Sequence, residues 1–154
     1  MEIRKATIKD FNELIGLKLS LKQEEKTYNK GLKSISDAAP HYKRYLKTDL
    51  TNKKVVVLVA VEEDEIVGMI TIKLYRSLRI FGYRKRGYLS NLYVARKARR
   101  KGLGNKLTNE AIKWCKSKKV KEVTLEIYEK NICAVNLYAN MGFKNYSVKM
   151  MKKV

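Results

Sequence analysis

The sequence predicts a mixed α/β (α+β) fold in which one mixed central sheet is flanked by helices. The β-branched run at 55–61, the turn at 63–65 and the strand pattern at 66–74 indicate a hairpin of buried strands. The alternating segment 120–128 lies between two helical patterns, which indicates helix crossovers as well. Hairpins and crossovers occur together in mixed sheets that are covered by helices. The sequence has no internal repeat or linker, so residues 1–154 are predicted to form a single domain.

The first third of the chain predicts a short strand and two helices. Residues 2–7 alternate like a strand, and Thr7 with Asp10 resembles a helix capping box. Residues 22–35 are polar and predict a loop or a weak helix, and Pro40 suits the first turn of the helix that follows. The apolar stripes of the two helices are formed by Phe11, Leu14, Ile15 and Leu19, and by Tyr42, Tyr45, Leu46 and Leu50.

The rest of the chain alternates between strands and helices. Gly68 predicts a bulge in the strand at 66–74, and Gly142 predicts the end of a helix. The further predicted elements are a strand at 88–94, a helix at 103–118, a strand at 120–128, a helix at 131–140 and a final strand region at 143–154. The predicted order is therefore β-α-α-β-β-β-α-β-α-β.

Composition restricts the class of protein. Hydrophobic residues make up 45% of the 154 residues, which is typical of a globular chain. The formal charge of +20 favours polyanionic ligands, although most of the lysines are scattered along the chain. No apolar run approaches the ~20 residues that cross a bilayer, and the N-terminus has no apolar signal core, so a cytoplasmic protein without a membrane partner is expected. Cys115 and Cys133 lie in helical patterns without metal-ligand spacing, which predicts two buried thiols, with a disulfide as the alternative, and no metal site.

The most informative stretch runs from residue 88 to residue 104. A strand pattern ends near Val94, and a basic turn punctuated by Gly102 and Gly104 leads into a helical pattern. A strand, a loop with unblocked backbone N–H groups and a helix N-terminus together make an anion site. Arg99, Arg100 and Lys101 add positive charge to it. The sequence therefore predicts a ligand that carries phosphates.

Two blocks of sequence then indicate a family. Arg99-x-x-Gly102-x-Gly104 follows a strand and opens a helix, and the segment 125–143 is a strand followed by a short helix with Asn131, Tyr138 and Gly142. Together these blocks resemble the GNAT superfamily, the GCN5-related N-acetyltransferases, along almost the whole chain. The resemblance implies the GNAT acyl-CoA N-acyltransferase fold, in which the strands at 88–94 and 120–128 splay apart.

The resemblance also implies a cofactor site for acetyl-CoA, the acetyl donor. The backbones of Leu92, Tyr93 and Val94 would bind the pantetheine arm, and a backbone N–H near Leu92 would polarise the thioester carbonyl. Asn131 would bond to the pantetheine arm. The pyrophosphate would be held at the helix N-terminus by the N–H groups of Arg99, Arg100, Lys101, Gly102, Leu103 and Gly104, with Asn105 close behind.

Two side chains are candidates for acid–base chemistry. Tyr138 stands where the family places a tyrosine beside the sulfur, so it is the candidate acid; the alternative is a half-buried core aromatic. Glu126 lies in an otherwise apolar strand pattern, where partial burial would make it a better base. The alternative is a solvent-facing position or a salt bridge to a residue such as Lys121. Ser90 or Asn91 could instead order a water that relays the proton.

The acceptor is predicted only as a primary amine, on a protein N-terminus, a lysine or a small molecule, that attacks directly in a ternary complex. A basic rim in the connector suits an anionic acceptor, and the alternative is a solvated loop. Two other functions remain open, a sensor that binds acyl-CoA without turnover and a basic nucleic-acid-binding module, although no sequence motif supports specific nucleic-acid binding. A short region after Phe143 would leave a sheet edge available for a homodimer. The rim consists of Arg79, Arg84, Lys85 and Arg86.

Overall fold

The computed structural model describes residues 1–76, 85–152 and 154. In this part of the chain the fold is mixed α/β, and its sheet has the strand order β1-β2-β3-β4-β5. Strands β1 to β4 pair antiparallel, and β4 pairs parallel with β5. The elements are β1 (Glu2–Lys5), α1 (Phe11–Glu25), α2 (Ile35–Thr51), β2 (Val55–Glu62), β3 (Glu65–Arg76), β4 (Lys85–Val94), α3 (Leu103–Ser117), β5 (Glu122–Leu125) and α4 (Ile132–Asn140), with single 3-10 turns at Ile8–Asp10 and Arg96–Ala98.

The hairpin of β2 and β3 forms the centre of the sheet, as predicted. Its two turn residues, Glu63 and Asp64, both have positive φ angles, 51° and 59°. This backbone twist matches the twist of the two strands that the turn joins. The predicted bulge is present beside Gly68, where the register shifts after Ala60. Since β2 and β3 are buried on both faces, they need helices on both sides.

Helices cover the sheet on its two faces. Helix α3 packs on one face, where the core includes Ile70, Leu89 and Leu107. Helices α1 and α2 pack on the other, where Leu14 and Leu46 are buried. No helix in the described ranges is long and apolar enough to span a membrane.

Strands β4 and β5 separate after a short stretch of pairing. They are in register from Arg86 opposite Glu122 to Leu89 opposite Leu125. Beyond Leu89, β4 continues to Val94, whereas β5 ends at Leu125. The sequence predicts that this strand continues to residue 128. A crevice therefore opens between the last half of β4 and the chain that follows β5.

In the first third of the chain the predicted capping box is confirmed, whereas the start of α2 and the extent of the loop before it differ from the prediction. The capping box of Thr7 and Asp10 is present, and Asp10 also accepts two hydrogen bonds from Arg4, at 2.8 and 2.9 Å. Pro40, however, lies inside α2, because the helix begins at Ile35 and is capped by Ser34. The predicted loop at 22–35 is confined to residues 26–34, since α1 continues to Glu25.

Two further predictions are wrong. The predicted final strand at 143–154 is absent: within the described residues the chain after Phe143 forms no strand, because no neighbouring strand pairs with it. Only one of the two cysteines is buried. Cys115 faces the core from α3, whereas Cys133 is exposed in the first turn of α4.

Candidate active site

The turn between β4 and α3 presents a row of unpaired backbone donors. Arg100 and Gly102 have positive φ angles of 64° and 72°, and the turn has no side-chain cap. Lys106 is the first residue of the helix whose N–H bonds to a backbone carbonyl, that of Gly102, at 3.1 Å. Among the described residues, the N–H groups of residues 100–105 have no backbone or side-chain acceptor. Such an array at the positive end of a helix dipole suits an anion.

The side chain of Arg99 fixes the turn instead of extending into solvent. Its Nε donates to the carbonyl of Val94 at 2.8 Å, and its NH2 lies 2.8 Å from Glu24 on α1. Arg96 contacts the same carboxylate at 3.6 Å. The two arginines therefore tie the C-terminal end of α1 to the turn. The Nζ of Lys101 lies 3.3 Å from the Glu62 carboxylate. Of the three basic residues 99–101, Arg100 therefore remains as an exposed charge on the surface of the turn.

A bulge reshapes the end of β4 beside this turn. Asn91 has a φ of 52°, and the pairing with β3 slips between Met69 and Thr71. The Asn91 amide donates to Thr71 at 3.3 Å, so it supports the bulge. Tyr93 is buried in the core on the α1 side, and its ring receives the Arg99 guanidinium at 5.4 Å. Because a bulge re-aims the strand, the backbone near Leu92 faces the crevice without a β5 partner.

Three elements meet at Gly104, the second glycine of the motif. A Cβ atom built there would lie 2.8 Å from Leu137 on α4 and 4.0 Å from Leu92 on β4. The absence of a side chain thus lets the start of α3 approach the helix that carries Tyr138. The structure brings the bulged strand, the turn and α4 to one end of the crevice.

Tyr138 is almost buried, with 7% of its surface exposed. Its ring packs edge-on against Phe143 with ring centroids 5.4 Å apart. Burial raises the pKa of Tyr138 to about 12, so the hydroxyl keeps its proton at neutral pH. A protonated phenol can donate to a leaving group, which is what an acid at this position must do.

Asn131 has a structural role at the start of α4. Its side-chain oxygen accepts from the Ala134 N–H at 3.2 Å and so caps the helix. The cap uses the side-chain oxygen of Asn131 and does not involve the side-chain Nδ2. The residue can therefore hold α4 in place and still donate a hydrogen bond.

Comparison with known proteins gives the family. The family model described as "Acetyltransferase (GNAT) family" matches residues 20–143, which includes the crevice, the turn and α4. The chain belongs to the GNAT family. Both the predicted fold and the predicted family are therefore confirmed.

Curated relatives resemble parts of this GNAT chain. N-alpha-acetyltransferase 30 of Xenopus laevis is 39% identical over 85 residues, which are 55% of this chain and 30% of that protein. The uncharacterized N-acetyltransferase YhfO of Bacillus subtilis is 30% identical over 100 residues, 65% of this chain and 66% of that protein. The chain thus matches less than one third of the length of the Xenopus protein.

Solved structures match the whole GNAT fold. A mutant of the BH1408 protein from Bacillus halodurans superposes with a TM-score of 0.90 at 24% identity, over 100% of this chain and 99% of that one. A predicted acetyltransferase from Clostridium acetobutylicum, solved with acetyl-CoA, gives a TM-score of 0.81 at 19% identity, over 99% of this chain and 95% of that one. At these identities the likeness concerns the fold.

Glu126 differs from the sequence expectation. It follows the last residue of β5 and is exposed, so the partial burial expected for a strand position is absent. The side chain nevertheless lies on the α1 side of the crevice, where its charge contributes to raising the pKa of Tyr88 after the larger effect of burial. The carboxylate thus borders the crevice without being enclosed by it.

Tyrosines on the α1 side of the GNAT crevice were missed by the sequence reasoning. Tyr28, after α1, stacks on Tyr128, after β5, with ring centroids 6.1 Å apart, and Asn29 donates to the Tyr128 hydroxyl at 3.1 Å. Where β4 and β5 are still paired, Tyr75 on β3, opposite Arg86, bonds to Thr124 on β5 at 3.1 Å and so lies outside the crevice. These residues are far apart in the sequence, so only the fold brings them together. The abundance of tyrosine, ten in the chain, is the one signal that the sequence offers.

Two members of the predicted basic rim, Lys85 and Arg86, lie away from this crevice. Lys85 donates to the carbonyl of Lys118 at 2.8 Å, and Arg86 pairs with Glu122 at 2.6 Å. Both lie at the start of β4, at the opposite end of the strand from the bulge. Arg79 and Arg84, the other members of the predicted rim, lie outside the described residues.

Proposed function

We propose that this GNAT protein transfers the acetyl group of acetyl-CoA to a primary amine by direct attack in a ternary complex. The observation that carries the proposal is the row of unpaired N–H groups at 100–105, next to the bulged end of β4 and facing the helix that bears Tyr138. Acyl transfer to an amine needs an anchored acetyl-CoA, a hydrogen-bond donor to the oxyanion that develops and an acid that protonates the leaving thiolate. The crevice offers a group for each of these needs.

Binding is assigned to the main chain. The N–H groups of residues 100–105 hold the pyrophosphate of the acetyl donor, with Arg100 adding charge. The N–H of Arg99, which the sequence predicts to be part of this row, already donates to the carbonyl of Arg96 at 3.3 Å. The backbones of Leu92, Tyr93 and Val94 and the amide of Asn131 hold the pantetheine arm. The Val94 carbonyl already accepts a hydrogen bond from Arg99. The pantetheine arm must therefore pair with the other backbone groups of Leu92, Tyr93 and Val94.

The chemistry is assigned to two side chains. The bound donor supplies a thioester; the amine nitrogen forms the new C–N bond while the C–S bond breaks. A backbone N–H near Leu92 stabilises the oxyanion, and Tyr138 gives its proton to the departing sulfur. The attacking nitrogen then loses its second proton, which leaves a neutral amide, and this proton passes through solvent to restore the Tyr138 hydroxyl. Before attack the ammonium proton passes to Glu126, directly or through an ordered water, because an exposed carboxylate can accept it by way of solvent.

The α1 side of the crevice supports an amine acceptor. Aromatic faces and carboxylates both attract an ammonium group, and Tyr28, Tyr128 and Glu126 lie there. Glu25 is nearby but is already paired with Lys22 at 2.6 Å. The relatives named N-alpha-acetyltransferase favour the amine of a protein N-terminus among the candidates. The residues on the α1 side of the crevice thus favour a cation, although the chain as a whole is strongly positive.

A sensor that binds acyl-CoA without turnover is the second candidate function. The exposure of Glu126 favours it, because the residues that the structure describes place no buried carboxylate beside the bulge. Calorimetry with acetyl-CoA, together with an assay of free thiol released over a panel of peptide N-termini, lysine peptides and small amines, separates the two. Binding with release supports the transferase; binding with no release over the panel supports the sensor. No binding at millimolar coenzyme A contradicts both.

A further inference from the structure

Among the described residues, Lys18 is the only lysine that is buried. It lies in α1, and 5% of its surface is exposed. Within this part of the chain its Nζ makes no hydrogen bond and belongs to no ion pair. No fully buried side-chain nitrogen of the described residues lacks a hydrogen-bond partner. The Nζ of Lys18 is therefore the part of this side chain that still meets solvent.

The surroundings of Lys18 disfavour its own positive charge. Burial lowers the pKa of Lys18 from its usual 10.5, because the ammonium group has lost water. The charge of Asp49 opposes this effect, and the charges of Lys22 and Lys73 add to it. An ammonium group that has lost water and gained no partner raises the free energy of the folded state. An anion that binds at the Nζ would replace the lost hydration.

The carboxylate nearest in effect to Lys18 is already bound to another lysine. Asp49, which is buried in α2, lies 2.8 Å from the Nζ of Lys73 on β3, and the Lys73 side chain is 43% exposed. Lys18, Lys73 and Asp49, here called the Lys18 cluster, together carry two positive charges and one negative charge. The cluster is therefore left with one positive charge in a partly enclosed space. Such a space favours an anion.

The Lys18 cluster borders the proposed amine site. Lys73 lies opposite Tyr88 on β4, and residues that are opposite each other on neighbouring strands share a face of the sheet. After the larger effect of burial, the charges of Glu126 and Glu25 both raise the pKa of Tyr88. Glu25 also acts on the pKa of Lys18, against the effect of burial. The face under α1 therefore runs from the positive Lys18 cluster to the carboxylate of Glu126.

The length of this face indicates how far an anion would lie from the reacting amine. Strands rise ~3.3 Å per residue, so Tyr88 lies roughly 13 Å along β4 from Leu92, where the oxyanion donor is proposed. The long side chains of Lys18 and Lys73 reach across part of this distance. An extended peptide at ~3.4 Å per residue covers the remainder within about two to four residues. An acidic side chain close behind a peptide N-terminus fits this spacing.

We propose that the Lys18 cluster binds the carboxylate of an acidic side chain at about the second to fourth residue of a peptide acceptor. This inference rests on the proposed function, because the amine of that acceptor is the group that is acetylated. It makes Lys18 a specificity residue, which contacts the acceptor away from the reacting atoms.

Matched peptides test the recognition of the carboxylate. Glu is compared with Gln at positions 2, 3 and 4 of an otherwise uncharged peptide with a free N-terminus and an amidated C-terminus. At one of these positions the Glu peptide is expected to have a KM about tenfold lower than the Gln peptide, with similar kcat, because a carboxylate that accepts from an ammonium group adds binding alone. Equal KM values for Glu and Gln at all three positions would overturn the proposal.

A pair of lysine variants assigns the effect to Lys18. K18M keeps the length of the side chain and is expected to abolish the difference between Glu and Gln peptides. K47M removes the same charge from the exposed face of α2 and is expected to keep it. Because K18M removes a buried charge without a partner, it should unfold at or above the wild-type temperature. A K18M variant that still prefers Glu peptides, or that unfolds at a clearly lower temperature, contradicts the assignment.

Calorimetry separates this inference from the proposed function. Glu and Gln peptides are titrated into the protein saturated with coenzyme A, so that no turnover is needed. Tighter binding of the Glu peptide supports the Lys18 cluster even if no peptide releases thiol from acetyl-CoA, an outcome that would contradict the transferase. Thiol release with equal binding of both peptides supports the transferase and overturns the inference, as does the absence of peptide binding.

Discussion

The surroundings of Tyr138 suit the acid role that we propose for it. The ring is enclosed by Phe143 and the core, and burial raises the pKa of the hydroxyl to about 12. An ordinary tyrosine, with a pKa near 10, would begin to lose its proton in mildly alkaline solution. The buried phenol stays protonated there, which keeps it competent as a donor.

Removal of the Tyr138 hydroxyl should slow acetyl transfer without weakening coenzyme binding. Tyr138→Phe keeps the ring that packs on Phe143, so we expect kcat to fall about 100-fold while the Kd for acetyl-CoA changes less than about twofold. Stopped-flow thiol release and calorimetry measure the two quantities. Tyr45→Phe, on the exposed face of α2, is the control. Unchanged turnover of Tyr138→Phe across the pH range would exclude Tyr138 from the mechanism.

Asp10 contributes to stability through an ion pair. Hydrogen bonds from Arg4 and from Thr7 lower the pKa of Asp10 from 3.8 to about 2. A carboxyl whose pKa is lower when folded stabilises the protein above its unfolded pKa, and this stabilisation disappears as the pH falls towards the folded value. The relevant pH range therefore lies between about 4 and 2.

Substitution of Asp10 should make stability less dependent on pH in that range. Asp10→Asn is expected to lower the free energy of unfolding by about 2 kcal/mol at pH 7, and the difference from wild type should shrink between pH 4 and 2. Urea denaturation at several pH values measures it. Asp64→Asn makes the same chemical change in the exposed β2–β3 turn and should leave stability nearly unchanged. A constant difference between Asp10→Asn and wild type at every pH would contradict this account.

Individual residues were predictable where the signal was local. The pairing of Thr7 with Asp10 needs only three residues of separation, and the prediction is confirmed. The exposure of Glu126 depends instead on where β5 loses contact with β4, which is a property of two strands. For the same reason, no sequence pattern connects Tyr28 with Tyr128, although their rings stack.

At the scale of elements, the start of α3 determines how the donors of the turn are aimed. Gly102 adopts a φ of 72° directly before the helix. A residue with a Cβ atom is strained in this region by roughly 1–2 kcal/mol. Relief of that strain would rotate the peptide groups whose N–H bonds have no acceptor within the described chain.

Gly102→Ala should therefore weaken coenzyme binding. We expect the Kd for coenzyme A to rise about tenfold, the equivalent of one lost charge-assisted hydrogen bond. Gly142→Ala is a matched control, because Gly142 also has a positive φ, 85°, with open space around its Cα. That variant should lose similar stability in thermal unfolding but keep its affinity. Equal affinity losses in both variants would attribute the effect to general destabilisation.

Element prediction succeeded where hydrophobic periodicity was strong. The hairpin of β2 and β3 and the amphipathic helix α3 followed from the β-branched run and from the spacing of Leu107 and Ala111. Pro40 was misplaced, since the Ser34 cap starts α2 one turn earlier than the proline rule indicates. The predicted final strand is absent, since no strand of the described residues pairs with the chain after Phe143 and an alternating pattern alone does not supply a partner.

At the scale of the whole molecule, the charge of +20 has consequences that no single site explains. Lysines scattered over the surface attract polyanions without arranging base-specific contacts. Affinity of this kind comes from released counterions, so it depends on salt far more than on nucleotide sequence.

Duplex DNA should bind at low salt and dissociate as salt rises. The logarithm of the binding constant is expected to fall linearly with the logarithm of the salt concentration, with equal slopes for unrelated duplexes. Fluorescence anisotropy with two oligonucleotides of equal length and different sequence measures the slopes. Preference for one sequence that persists at moderate salt would instead support a nucleic-acid-binding function.

The ion pairs of Arg96 and Arg99 with Glu24 connect the proposed coenzyme site to the proposed amine site. Glu24 belongs to the last turn of α1, and the loop that carries Tyr28 begins two residues later. Under the proposed function, coenzyme that stiffens the turn should therefore also steady the loop that carries Tyr28, so we expect the amine to bind after the thioester. Initial-rate kinetics with a dead-end inhibitor should show that acetyl-CoA must bind before the amine in the wild-type protein, and that the two bind in random order in Glu24→Gln. Random order in both proteins would show that the turn and the loop that carries Tyr28 are not coupled.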